Sequence, residues 1–156
     1  MSDDAPPEAL RSLASWLLTQ TAAHAHRLVT DGLGAIAARG HHYRLLASLD
    51  EFGPASQATL ARHSGVHTSD VVAALNELSA AGHTARLPDP ADRRRNIITL
   101  TPSGRTHLTA MRERLQAVQE DLLRPLDATE RATLTTLLTR LLAHHENRER
   151  ESRHAG

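Results

Sequence analysis

The sequence predicts a mainly α-helical fold with one small β-hairpin, and three observations lead there. Apolar residues recur at three- and four-residue steps along most of the 156 residues. Aromatic residues make up only 2%, namely Trp16, Tyr43 and Phe52. A core of Leu, Ala, Val and Ile favours packed helices over a β-sandwich. The periodicity changes only around residues 83–101, where two short Thr/Ile/Leu runs flank a charged, Pro-containing turn.

Residues 8–38 read as one long helix, with Leu10, Leu13, Leu17, Thr21, Ala25 and Leu28 in step. Gly32 and Gly34 are expected to loosen or end it. Residues 41–51 give a second helix (Leu45, Leu46, Leu49), stopped by Gly53-Pro54. Ser56 caps a short helix to about His63, closed by Gly65. The next helix starts at His67-Thr68-Ser69, with Val71, Val72, Leu75 and Leu78 on one side and Gly82 at its end. Residues 83–88 and 96–101 pair as the hairpin, and Thr101-Pro102 supplies an N-cap with Pro at the first helical position. The following helix carries Leu108, Met111, Leu115, Val118 and Leu122 and ends at Pro125. The last opens on Asp127-Ala-Thr-Glu130, an Asp-initiated capping box, and carries Leu134, Leu137, Leu138, Leu141 and Leu142. Residues 146–156 are charged and expected to fray.

Short helix, turn, helix and hairpin make the pattern of a winged helix-turn-helix. One domain over 1–156 is expected, with residues 41–105 as a DNA-binding lobe and 8–38 and 106–150 as a helical dimerisation region. The flanking Leu stripes have nothing inside a small domain to bury them, so a homodimer is expected.

Several function classes are disfavoured. Without Cys there are no disulfides, thiolate metal sites or cysteine redox sensors. No apolar run approaches the roughly 20 residues of a membrane span. The acidic start, Asp3 and Asp4, is unlike a signal peptide, so a soluble cytoplasmic protein without a membrane partner is expected. No nucleophile elbow, phosphate loop or HExxH motif occurs, so neither catalysis nor a cofactor is expected. The 11 His residues are spaced poorly for chelation: His24 and His26 lie two apart, and His41/His42 and His144/His145 are adjacent. Only a site assembled between helices, from His24, His41 or His42 with His107, would make the protein metal-responsive.

The charge is neutral overall, with 18 basic and 18 acidic residues, and every basic residue is Arg. Locally it is uneven. Arg86, Arg93, Arg94, Arg95 and Arg105 face only Asp89 and Asp92 within residues 82–105. Such a patch on a hairpin fits nucleic acid.

The stretch from about Tyr43 to Arg105 resembles the MarR family of winged-helix transcriptional regulators. The resemblance rests on Gly53-Pro-Ala-Ser-Gln57, Leu60-Ala61, Gly65-Val66, Gly82-His-Thr-Ala-Arg86, Asp92 and Arg94 of the wing signature, and Leu100-Thr-Pro-Ser-Gly-Arg105. It implies a dimeric regulator of double-stranded DNA, possessing a recognition helix over 68–81 and a wing that reaches the minor groove. Thr68, Ser69, Asp70, Ala73 and Asn76 would then face bases or phosphates; Asn suits adenine and Ala a thymine methyl. Asp70 would otherwise stabilise the helix N-terminus. Arg94 would enter the minor groove, positioned by a salt bridge to Asp92, while Arg86, Arg93 and Arg95 touch backbone. The chain departs from the family at Ala73 and Glu77, positions often basic, and at His83 and Thr84, usually apolar. The acids Asp70 and Glu77 motivate an alternative, an effector- or protein-binding dimer with weakened DNA binding. Family members often bind a small amphipathic effector. Trp16, His41, His42, Tyr43 and Arg44 mark the corresponding neighbourhood.

Overall fold

The computed structural model describes residues 5–154, so Asp3 and Asp4 lie outside the described residues. In chain order the elements are α1 (Glu8–Arg11), α2 (Ala14–Gly34), α3 (Gly40–Phe52), α4 (Gln57–Ser64), α5 (Thr68–Ala80), β1 (Thr84–Pro88), β2 (Asn96–Leu100), α6 (Pro102–Leu122) and α7 (Ala128–His154). The described residues form two compact units divided after Val118.

In the first unit, α3, α4 and α5 enclose the core. Leu45, Leu46, Leu60, Val71, Leu75 and Leu78 are buried there, joined by Leu33 of α2, Ile98 of β2, and Leu108 and Met111 of α6. Local chemistry explains the boundaries. Ser56 Oγ accepts the Thr59 N–H at 3.2 Å, and Gly65 closes α4 at φ 62°, where a Cβ would be strained. β1 and β2 pair antiparallel, Thr84 opposite Leu100 through Pro88 opposite Asn96. Ala55 adds a single bridge on the other edge of β2, since it and Ile98 exchange N–H···O bonds of 3.2 and 2.8 Å. That ties the start of α4 to the hairpin. Thr101 Oγ1 accepts from Gly104 N–H at 3.0 Å and donates to the Gly82 carbonyl at 2.6 Å. One side chain thus caps α6 and fastens it to the end of α5.

In the second unit Asp127 and Glu130 form a reciprocal capping box, each backbone N–H donating to the other's carboxylate at 2.9 Å. Arg131 Nε donates to the Leu123 and Leu126 carbonyls, satisfying orphan acceptors between α6 and α7.

Four sequence expectations are corrected. The helix over 8–38 is interrupted: Ser12 Oγ bonds the Ala9 carbonyl at 3.2 Å and Leu13 is extended, so α1 stops and α2 restarts. Gly32 does not loosen α2; a Cβ there would meet Val118 Cγ2 at 2.7 Å, so it is a point of close helix approach. Val72 is exposed rather than buried, because α5 turns Val71, Ala74, Leu75 and Leu78 inward. Residues 146–154 are helical rather than frayed, with Glu146–Arg150 and Glu149–Arg153 pairs at i,i+4.

Candidate nucleic-acid interface and adjoining cavity

α5 presents two different exposed sides. Thr68, Ser69, Asp70, Ala73 and Asn76 are all exposed. His67 begins the helix, its Nδ1 accepting from the Ser69 N–H at 3.4 Å. Val72 and Asn76 look toward the wing and share an open groove of about 420 Å³ with Gln57, Arg86, Asn96 and Ile98. Asp70, Ala73, Ala74 and Glu77, at helical spacing, look the other way and wall a second cavity.

The wing tip is built by two aspartates. Asp89 Oδ1 accepts from Ala91 N–H at 2.9 Å, and Asp92 Oδ1 from Arg94 N–H at 3.1 Å. These Asx contacts fold the loop so that three consecutive Arg project from it. Asp92 also lies 3.4 Å from Arg94 Nε and 3.7 Å from Arg95 Nε. The Arg94 side chain remains 94% exposed, so this ion pair contributes little energy. Its guanidinium is free to leave Asp92 for a phosphate or a groove floor. Arg93 is exposed beside it.

The second cavity measures about 390 Å³ and lies between α2, the start of α3, and α5. His26, Arg39, His41 and His42 face Asp70 and Glu77 across it. His42 is buried and its Nε2 lies 2.8 Å from Glu77 Oε2, while Arg39 Nη1 lies 3.4 Å from Glu77 Oε1. Burial holds the imidazole below its ordinary pKa, and the Glu77 carboxylate only partly offsets this. A neutral ring donating Nε2–H to Glu77 satisfies both groups. Glu77 is therefore a tie from α5 to α3, its charge compensated by Arg39.

Of the residues assigned to the effector neighbourhood, His41 and His42 line this cavity, and Trp16, Tyr43 and Arg44 do not. Arg44 points along α3 and donates to the Gly65 carbonyl at 3.1 Å, bracing the turn before α5. Tyr43 packs half-buried against the core. Trp16, half-buried on α2, sits more than two helical turns before His26. His26, Thr30 and Arg39 of the cavity were missed, and Glu77 was singled out only as an acid on α5. Adjacency in space to α5 is what selects them, and no local motif carries that. Among the described residues no three His, Asp or Glu side chains come together as a metal site.

A separate histidine pair braces the wing. The His83 and His107 rings stack at 4.2 Å, and His83 Nδ1 lies 3.1 Å from Ser103 Oγ. Burial first, then the neighbouring His83 and His42, push the His107 pKa down. His42 and His107 thus favour the neutral form in the fold, whereas the unfolded chain takes up protons near pH 6.5. More protons on the unfolded state means stability rising with pH. Stability is therefore expected to be full above about pH 6.5 and to fall as the pH drops below it. Melting temperatures from pH 7.5 to 5 check this, and His107→Asn should flatten the slope.

The family model described as the MarR family matches residues 38–95, from the cavity's edge through the wing tip. The HTH-type transcriptional repressor NicR of Pseudomonas putida is 33% identical over 102 residues, covering 65% of each chain. The chain belongs to the MarR family. A probable transcriptional regulator from Pseudomonas aeruginosa superposes with a TM-score of 0.75 at 29% identity, covering 85% of this chain and 98% of that one. The MarR-type fold extends to Bordetella bronchiseptica BpsR, a protein whose DNA binding is regulated by 6-hydroxynicotinic acid. It has a TM-score of 0.75 at 21% identity over 87% of this chain and 97% of BpsR. The matched stretch spans 65% of NicR and 44% and 52% of two further curated relatives, less than two thirds of each. The relatives named here are regulators, not enzymes.

Proposed function

We propose that this MarR-family chain is a sequence-specific DNA-binding transcriptional regulator. It acts as a homodimeric repressor on a pseudo-palindromic operator and releases it when a small molecule binds. One observation carries the DNA reading: the exposed polar edge of α5 and the exposed Arg94 tip belong to one lobe with a continuous core. A helix fits the major groove and an arginine the narrow minor groove one step away. Glu77, the residue that most argued against DNA, is turned toward Arg39 and His42 and leaves the outer face of α5 to Ser69, Val72 and Asn76. This favours DNA readout over a dimer that has lost it. The apolar stripes on α2 and α7 support the dimer, and half-sites about one helical turn apart would follow.

The effector reading rests on the 390 Å³ cavity, which shares Asp70, Ala73 and Glu77 with the recognition helix. A ligand there meets α5 directly and shifts its position if it binds one arrangement better. The DNA binding of BpsR, of the same fold, responds to a small heteroaromatic acid.

The test is anisotropy titration of the purified protein on its own upstream DNA, with unrelated DNA as competitor and salt as variable. Specific binding roughly a thousandfold tighter than non-specific supports the reading. Equal affinity for every upstream and random sequence refutes it. Arg94→Ala is expected to weaken binding about tenfold and to reduce the salt slope by about one, with α5 preference unchanged.

A further inference from the structure

We propose, resting on the DNA reading above, that Arg86 is a positioning residue that turns Asn76 into a reader of guanine rather than adenine. Arg86 sits opposite Ile98 in the hairpin register. Cross-strand partners project to the same face of a β-ladder. Ile98 is buried against the lobe, so Arg86 leaves the hairpin on the face that carries α5, and it stays exposed there. Its Nη2 donates to Asn76 Oδ1 at 3.1 Å.

That contact sets the amide's polarity. An asparagine reads adenine by accepting from N6 with Oδ1 while donating to N7 with Nδ2. Here the guanidinium takes one of the two lone pairs of Oδ1 and brings a positive charge that opposes a second donor. The two Nδ2 hydrogens stay free, and the remaining Arg86 donors lie beside them in the groove. The groove thus presents donors only at this point, matching the N7 and O6 acceptors of guanine in the major groove. Val72, one turn before Asn76 and 40% exposed, offers the apolar contact that a thymine methyl accepts. The expected subsite is a guanine flanked by a thymine in each half-site.

Selection from randomised duplexes, with the wild-type chain and Arg86→Ala, Arg86→Lys and Asn76→Ala variants, tests this. The wild type should enrich guanine about tenfold at one position per half-site. Asn76→Ala should lose that preference. Arg86→Ala should move it toward adenine, because Oδ1 is released, and Arg86→Lys should restore guanine in part. If Arg86→Ala lowers affinity for all sequences equally and keeps the preference, Arg86 only contacts phosphate and the inference fails. Enrichment of adenine by the wild type also overturns it. If no sequence is enriched at all, the DNA reading falls first, and the inference with it.

Discussion

Gly104→Ala is expected to destabilise the protein by about 3 kcal/mol, against the trend of helix propensity. Gly104 is the third residue of α6, and alanine is ordinarily the better helix former by about 1 kcal/mol. The surroundings reverse the sign. A Cβ at Gly104 would collide with the His83 carbonyl oxygen and approach Leu100 Cδ1 at 2.7 Å. The His83 backbone has little room to retreat. Its N–H donates to the Leu78 carbonyl at 2.8 Å, and its carbonyl accepts from Thr101 N–H at 3.2 Å. Those bonds tie the residue before β1 back to α5 and across to the start of α6, so a displaced His83 moves α5 relative to the wing. Gly34→Ala is the control: nothing lies within 4 Å of its Cβ position, and it ends α2. It should be neutral or gain a few tenths of a kcal/mol. Urea unfolding of both variants decides the matter. A stabilised Gly104→Ala would mean that the α5–β1 junction is soft and that the wing is not rigidly set.

The parts of this fold legible in the sequence are those set by neighbours in the chain. Ser56, Gly65, Thr101 and the Asp127–Glu130 box act over three or four residues, and each acts where the pattern placed it. The hairpin was legible for the same reason. The Ala55–Ile98 bridge joins residues more than 40 apart, and no local pattern announces it. The rotation of α5 about its axis was only half legible. Val71, Leu75 and Leu78 fix a buried side, but Val72 fell on the wrong one, and Glu77 was indistinguishable from a groove-facing acid until α3 was in place. The cavity shows the same limit. His41 and His42 open α3 and were legible there, whereas Arg39 matters only because α5 delivers Glu77 to it.

Replacing Leu138 and Leu142 together by Glu is expected to yield a monomer that no longer holds a full operator. α7 is a 27-residue helix with no buried residue, and Leu137, Leu138, Leu141 and Leu142 are 40–62% exposed along it. Helices of this kind owe most of their stability to covering an apolar face. Soluble monomers rarely leave such a stripe open. Leu17 and Leu18 of α2, and Leu13 just before it, are exposed in the same way. A second copy of the chain is the partner that two such faces and a two-fold operator would both require. Joining two lobes raises the affinity for paired half-sites by roughly 10²–10⁴ through effective concentration alone, and the double substitution should remove that gain. Affinity for a single half-site should stay unchanged, because α3, α4, α5 and the wing have their own core in the first unit. Sedimentation velocity reads the mass, and anisotropy on whole and half operators reads the binding. Circular dichroism separates a lost interface from a melted α7. A wild-type chain that sediments as a monomer at micromolar concentration, or a Glu variant that remains dimeric, would remove the Leu stripe of α7 as the dimer contact. The operator would then have to be bound by lobes held together through some other surface.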